Sequence, residues 1–285
     1  MIYILIEILL IIVIGILSLE LIFDLVEILC FFKSIEKIFA NIASFVCMQK
    51  YKSTPEIFKK LLETSSNLID VKYGGYGCSF CEYKRNGDVE VNIFADDLIN
   101  SILSLRTPRS FLASTYFHEL GHVIDFSYNR SSLDFSRSTV SENIFRYALE
   151  LDKKNFHAPT MGMKSHGSAG SRPIRRLIYI IRNFSKLTFE CPEVEDILDI
   201  VSDGNVPVIY GHSKSYYEKC PASRYNEIFA NLFALYASRD YKSLRRLVKV
   251  YGLRHLVDRF ITWVARMSVE RGIRVDEELN AVLRK

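Results

Sequence analysis

Apolar positions fall along the chain in three spacings, and each spacing predicts its own kind of element. From Ile2 to Phe23 they are almost continuous (IYILIEILLIIVIGILSLELIF), and only Glu7 and Glu20 are charged. As a helix this run would be about 33 Å long, against about 30 Å for the hydrocarbon core of a bilayer. Both carboxylates lie near its ends, where a charge reaches the headgroups more cheaply than from mid-membrane. Residues 1–32 are therefore expected to form a hydrophobic, membrane-spanning segment, with a buried or membrane-surface helix as the alternative. A basic start and a small-residue cleavage site, the marks of a cleavable signal peptide, are missing. Lys33, Lys37, Lys50 and Lys52 follow the run and no basic residue precedes it. That asymmetry puts the bulk of the chain on the cytoplasmic side of a single-pass, membrane-associated protein. Glu20, Asp24 and Glu27 would share one helical face, and the helical pattern continues as an amphipathic linker over 33–53.

From residue 54 the spacing becomes that of amphipathic helices, interrupted once by strand-like alternation. Thr54-Pro55 reads as a helix cap followed by proline at the first helical position, which predicts a helix to about Leu68. Asn86-Gly87 between two alternating runs predicts a hairpin, with Val89, Val91 and Ile93 on one face of its second strand. Gly74, Gly75 and Gly77 suggest a tight turn before the first strand. Further helices are expected from Asp96 or Asp97 to about Leu105, from a Ser110 cap to about Phe126, and from Ser141 to Phe156. Residues 157–173 read as a Gly/Ser/Met-rich loop, followed by helices near 173–186 and 192–203, the last ending at Gly204. Residues 225–285 read as three helices in succession. The expected fold class is α+β, mainly helical, with one small hairpin or sheet in a domain spanning 54–285.

Composition narrows the function classes. An apolar share of 49% and a charged share of 25% exclude a disordered or low-complexity chain. The formal net charge of +4 is too small to indicate nucleic acid, and no basic stripe is interleaved with aromatics. Residues 1–32 carry acids and no Lys or Arg, so the positive charge belongs entirely to the remainder. Cysteines at 30, 47, 78, 81, 191 and 220 follow no disulfide framework and read as reduced thiols.

The segment SFLASTYFHELGHVIDF contains His118-Glu119-Leu120-Gly121-His122, an HExxH. Residues i and i+4 share a helical face one turn apart, so two imidazoles can converge on one ion. Glu119 projects beside that ion without ligating it, placed to take a proton from a water. Gly121 leaves room for another element to pack closely. Catalytic zinc needs three protein ligands and an open position. Asp125 lies too far along the helix axis on too short a side chain, and reads as an acceptor behind a ligand. Glu227 is the better third ligand. It lies in RYNEIFANLFALYAS, where a carboxylate among apolar residues is costly unless paired or metal-bound. Asn231 follows one turn later on the same face.

HELGHVID followed about a hundred residues later by NEIFANLFALY resembles the gluzincin metallopeptidases. The likeness is to the catalytic domain of anthrax lethal factor and to the clostridial Pro-Pro endopeptidases. There a Glu opening an E-x-x-A-x-x-F helix completes the HExxH site, matched here by Glu227, Ala230 and Phe233. The stretch with Ser202, Asp203, Gly204, Gly211, His212 and Tyr216 is similar to one found in phage- and toxin-associated relatives. The resemblance covers about residues 55–240. It implies a zincin-like fold, and zinc (Zn2+) held by His118, His122 and Glu227. It also implies a protein or peptide substrate and Glu119 as general base. These relatives carry a transition-state-stabilising Tyr seven residues before the ligand Glu, where this chain has Cys220. Tyr216, Tyr217, Tyr225 and His212 are the substitutes available, and Tyr216 and His212 are the candidates carried forward with Glu119. They often carry an acid where Asn231 stands.

The expected function is therefore zinc-dependent endopeptidase activity, with the strand around Val89–Phe94 read either as an edge for pairing with an extended substrate or as a strand that only covers the core. The rival reading is a catalytically silent, membrane-tethered zinc-binding or interaction module of phage or toxin-like origin. A third reading makes Cys78-x-x-Cys81 a redox or zinc pair, against which stands the absence of a second pair nearby.

Overall fold

The computed structural model describes residues 33–65, 68–74, 79–84, 86, 88–94, 108–127, 140–157, 190–206, 208, 210–212 and 214–284. The N-terminal apolar run, the helices expected near 96–105 and 173–186 and, apart from His157, the loop expected over 157–173 lie outside the described residues. Among the described residues no helix is long and apolar enough to cross a membrane.

The described elements, in chain order, begin with α1 (Lys33–Lys52) and α2 (Glu56–Glu63). The strands β1 (Ile69–Tyr73), β2 (Phe80–Tyr83) and β3 (Val89–Ile93) come next. Then follow α3 (Pro108–Ser127), α4 (Val140–Asn155), α5 (Pro192–Val201), α6 (Lys214–Lys219) and α7 (Ser223–Ala237). The last three are α8 (Tyr241–Lys249), α9 (Arg254–Glu270) and α10 (Glu277–Asn280). The fold is thus mainly helical α+β, as expected. The helix expected over 33–53 is α1, and it contributes Phe39, Ala43, Val46 and Cys47 to the common core.

The sheet departs from the expected hairpin in one respect. β2 and β3 do pair antiparallel, Tyr83 opposite Val89 and Phe80 opposite Asn92. β1 then adds to the other side of β3 in parallel, Ile69 opposite Val89 and Tyr73 opposite Ile93, giving the order β1-β3-β2. The helix expected to reach Leu68 ends instead at Glu63, with Thr64 as its C-cap, and β1 begins at Ile69. β3 is consequently the central strand. The expectation that Val89–Phe94 offers an edge to a substrate is corrected: both sides of β3 are already paired. Val89, Val91 and Ile93 point into the core, where α3 packs. Gly74 follows β1 at φ 124°, a conformation that L side chains rarely adopt, and its N–H donates to Ile93 O at 3.0 Å.

α7 is the centre of the molecule. Every residue from Glu227 to Ala237 is buried, which is what an all-round apolar helix demands. Phe229 and Phe233 meet Phe58 of α2 and Phe260 and Trp263 of α9, with ring centroids 5.2–6.4 Å apart. Each such ring contributes roughly 1.5–3 kcal/mol of burial. α3 crosses α7 at Gly121. A Cβ on that residue would stand 2.8 Å from Ala230 Cα, so the two backbones approach as closely as they do only because residue 121 has no side chain. The pairing of Gly121 with Ala230 fixes which turn of α3 faces which turn of α7.

Candidate metal centre

That crossing sets the first half of the site. His118 and His122 lie one turn apart on α3, flanking Gly121. Glu227 lies one turn before Ala230 on α7, so the same close contact brings its carboxylate to the imidazoles. His118 Nε2 and His122 Nε2 are 3.1 Å apart. Glu227 Oε2 is 3.2 Å from the first and 3.5 Å from the second. The remote acid and the histidine pair, expected from separate helices, are thus brought together.

The donor set fits a metal ion on two counts. Ligands about 2.0–2.2 Å from a tetrahedral centre lie about 3.3–3.6 Å from one another, close to the three separations found here. Glu227 Oε2 is also buried and makes no hydrogen bond of its own, facing only the two imidazole nitrogens, which a shared cation would join to it. His118, His122 and Glu227 therefore form a group that could hold a metal ion.

The second half of the site orients the first. Asn231, one turn after Glu227, presents Oδ1 to His118 Nδ1 at 2.9 Å. Its Nδ2 donates to Asp196 Oδ2 at 2.6 Å. Asp196 Oδ1 lies 3.0 Å from His212 Nδ1 and accepts from the Tyr217 hydroxyl at 3.3 Å. His212 Nε2 comes within 3.8 Å of Glu227 Oε1. The Tyr216 hydroxyl donates to that same Oε1 at 3.1 Å, and the rings of His212 and Tyr216 stack at 4.4 Å. Asp196, His212 and Glu227 also form a close group, but Asp196 already serves three hydrogen-bonding neighbours.

Burial and charge compete at each group. Burial raises the Glu119 carboxyl above its usual range despite the nearby His118 and His122. Burial acts in the same direction on Glu227, yet the facing His212, His122 and His118 outweigh it and hold that carboxyl well below the usual range. Burial lowers His118 and His212, but Glu227 and the other carboxylates more than offset it. His118 is held up at about 9 and His212 at about 10. The site is thus an ionised carboxylate, Glu227, beside a second, less acidic one, Glu119, a pair pushed apart by environment.

Several residues sit otherwise than the sequence suggests. Asp125 does not reach behind a histidine: its Oδ1 accepts the Ser141 N–H at 3.0 Å, capping α4, and no hydrogen bond reaches the buried His122 Nδ1. Tyr216 spends its hydroxyl on Glu227, and Cys220 is exposed just past the end of α6. The Cys81 thiol is raised well above its usual range by burial, then by Glu119 and Glu227, which makes it a poor nucleophile. Cys78 lies outside the described residues. Asp196 was not singled out from the sequence as part of this site, and Tyr217 was named there only as a substitute for the missing Tyr. The available signal was α5 itself, whose Glu193, Glu195, Asp196 and Asp199 are all buried, a density of acids that needs partners. Comparison of the chain with protein families, curated proteins and solved structures finds no match.

Proposed function

We propose that the chain is a zinc-dependent endopeptidase of zincin-like type. The observation that carries this reading is the buried Glu227 Oε2 facing two imidazole nitrogens from an HExxH helix. Two imidazoles and one carboxylate, with a fourth position left open, suit catalytic zinc. When bound, zinc would supply Lewis acidity and make a water acidic near neutral pH.

The chain's own residues account for the proton traffic. Glu119 carboxylate takes a proton from the attacking water as the new C–O bond forms at the scissile carbonyl. It returns that proton to the amine nitrogen as the C–N bond breaks. His212, held through Nδ1 by Asp196, turns Nε2 toward Glu227 and is the donor in reach of a developing oxyanion. Tyr216 is better suited to fixing Glu227 by its free oxygen, leaving Oε2 for the ion. Among the described residues β2 pairs on one side only, so an extended peptide could add to it beside α3. The apolar run over 2–23 would tether the domain to a membrane. In support, α1 leaves Ile42, Phe45 and Met48 exposed.

The test is cleavage of a diverse peptide library by the detergent-solubilised full chain. Hydrolysis is expected with zinc, is lost on chelation, and returns when zinc is restored. A zinc-loaded protein that leaves the library uncut would favour the silent binding module instead, a reading to which the exposed Cys220 lends some weight.

A further inference from the structure

Asp196 ligates nothing in the three-donor group, yet both halves of the site pass through it. An ionised carboxylate only accepts hydrogen bonds. Asn231 must therefore turn its NH2 group toward Asp196 Oδ2, at 2.6 Å, and its carbonyl oxygen toward His118 Nδ1, at 2.9 Å. That orientation requires a proton on His118 Nδ1, so the neutral imidazole presents Nε2 without a proton toward His122 and Glu227. Through Oδ1 the same carboxylate holds His212 by Nδ1 at 3.0 Å, with the Tyr217 hydroxyl at 3.3 Å. Asp196 is buried and reaches these partners from α5, a helix that contributes no ligand.

We propose that Asp196 is a positioning residue that sets two imidazoles at once. It sets the proposed ligand His118 through the Asn231 amide, and the proposed oxyanion donor His212 directly. One carboxylate thereby couples metal affinity to turnover. This inference rests on the metallopeptidase reading of the same site.

The roles of 196 and 231 can be exchanged on paper without losing a bond. With Asp196→Asn and Asn231→Asp together, the new carboxylate at 231 accepts from His118 Nδ1 and from the new amide at 196. That amide's oxygen still accepts from His212 and Tyr217. Neither single substitution does this. Asn231→Asp sets two carboxylates against each other across a 2.6 Å contact. Asp196→Asn can satisfy Asn231 or His212 but must aim its NH2 group at the other's donor.

The experiment measures zinc affinity by chelator competition, and kcat at saturating zinc, for the full chain, both single variants and the exchanged pair. Asn231→Asp is expected to weaken zinc binding by about 10–100-fold, and Asp196→Asn to lower kcat by a similar factor. The exchanged pair should recover both quantities, which a merely structural role for either residue would not produce. Singles that match wild type, or an exchanged pair no better than the worse single while wild type binds zinc, overturn this proposal alone. Wild-type protein that binds no zinc overturns the metal reading and this one with it. Should one single fail to fold, the exchanged pair against wild type still decides the matter.

Discussion

Glu119→Gln is expected to bind zinc as wild type does and to lose peptide hydrolysis by about 10²–10⁴-fold in kcat. The substitution keeps the size of the side chain and removes only its ability to take up and release a proton. Metal affinity should survive because, among the described residues, the three donor atoms that converge at the HExxH helix belong to His118, His122 and Glu227, and Glu119 is not one of them. The buried setting that raises the Glu119 carboxyl suits a group that must hold the proton briefly before passing it to the amine. Zinc content and kcat should be measured on the same preparation. Full hydrolysis by the variant would remove Glu119 from the mechanism, and loss of zinc would mean that it contributes to the ion's shell.

Glu227→Gln is expected to have the opposite signature, with zinc lost first. An amide oxygen is neutral and a far poorer ligand for zinc than a carboxylate. Its affinity should fall by more than the roughly 10–100-fold seen when residues behind a ligand are changed. The substitution also removes the anion that faces three imidazoles and accepts from the Tyr216 hydroxyl. A cost of about 1–3 kcal/mol in stability is expected from the groups left without an acceptor. Denaturant midpoints of the zinc-free proteins measure that cost separately from the metal. His118→Ala should likewise lose zinc. A Glu227→Gln protein with wild-type zinc affinity would mean that the histidine pair binds metal with some other third partner.

What could be read from the sequence divides along a physical line. The histidine pair was readable because i and i+4 on one helix is a local relation. Glu227 was readable because a carboxylate in an otherwise apolar helix is an anomaly wherever the helix packs. The hairpin was readable from Asn86-Gly87, since turn chemistry is local too. β1 was not recognised as a strand. Its Ile69–Tyr73 segment does alternate, with Asp70 and Lys72 outward, but five residues directly after a helical pattern do not show what they pair with, and the parallel pairing with β3 is a contact made across the intervening chain. Placing β3 at an edge failed for the same reason. Asp196 was hidden by its neighbours: among four acids in α5 nothing in the sequence says which will be turned toward Asn231 and His212. The close approach at Gly121 was anticipated, but its partner, Ala230, emerged only from the crossing of α3 and α7.

The most direct test of the three-donor centre is metal analysis of the purified full chain together with X-ray absorption at the zinc edge. The account predicts one zinc per chain with two imidazole nitrogens and one carboxylate oxygen at about 2.0–2.2 Å, plus one further light atom. Protein that takes up no zinc, or zinc surrounded by sulfur at about 2.3 Å, would contradict it.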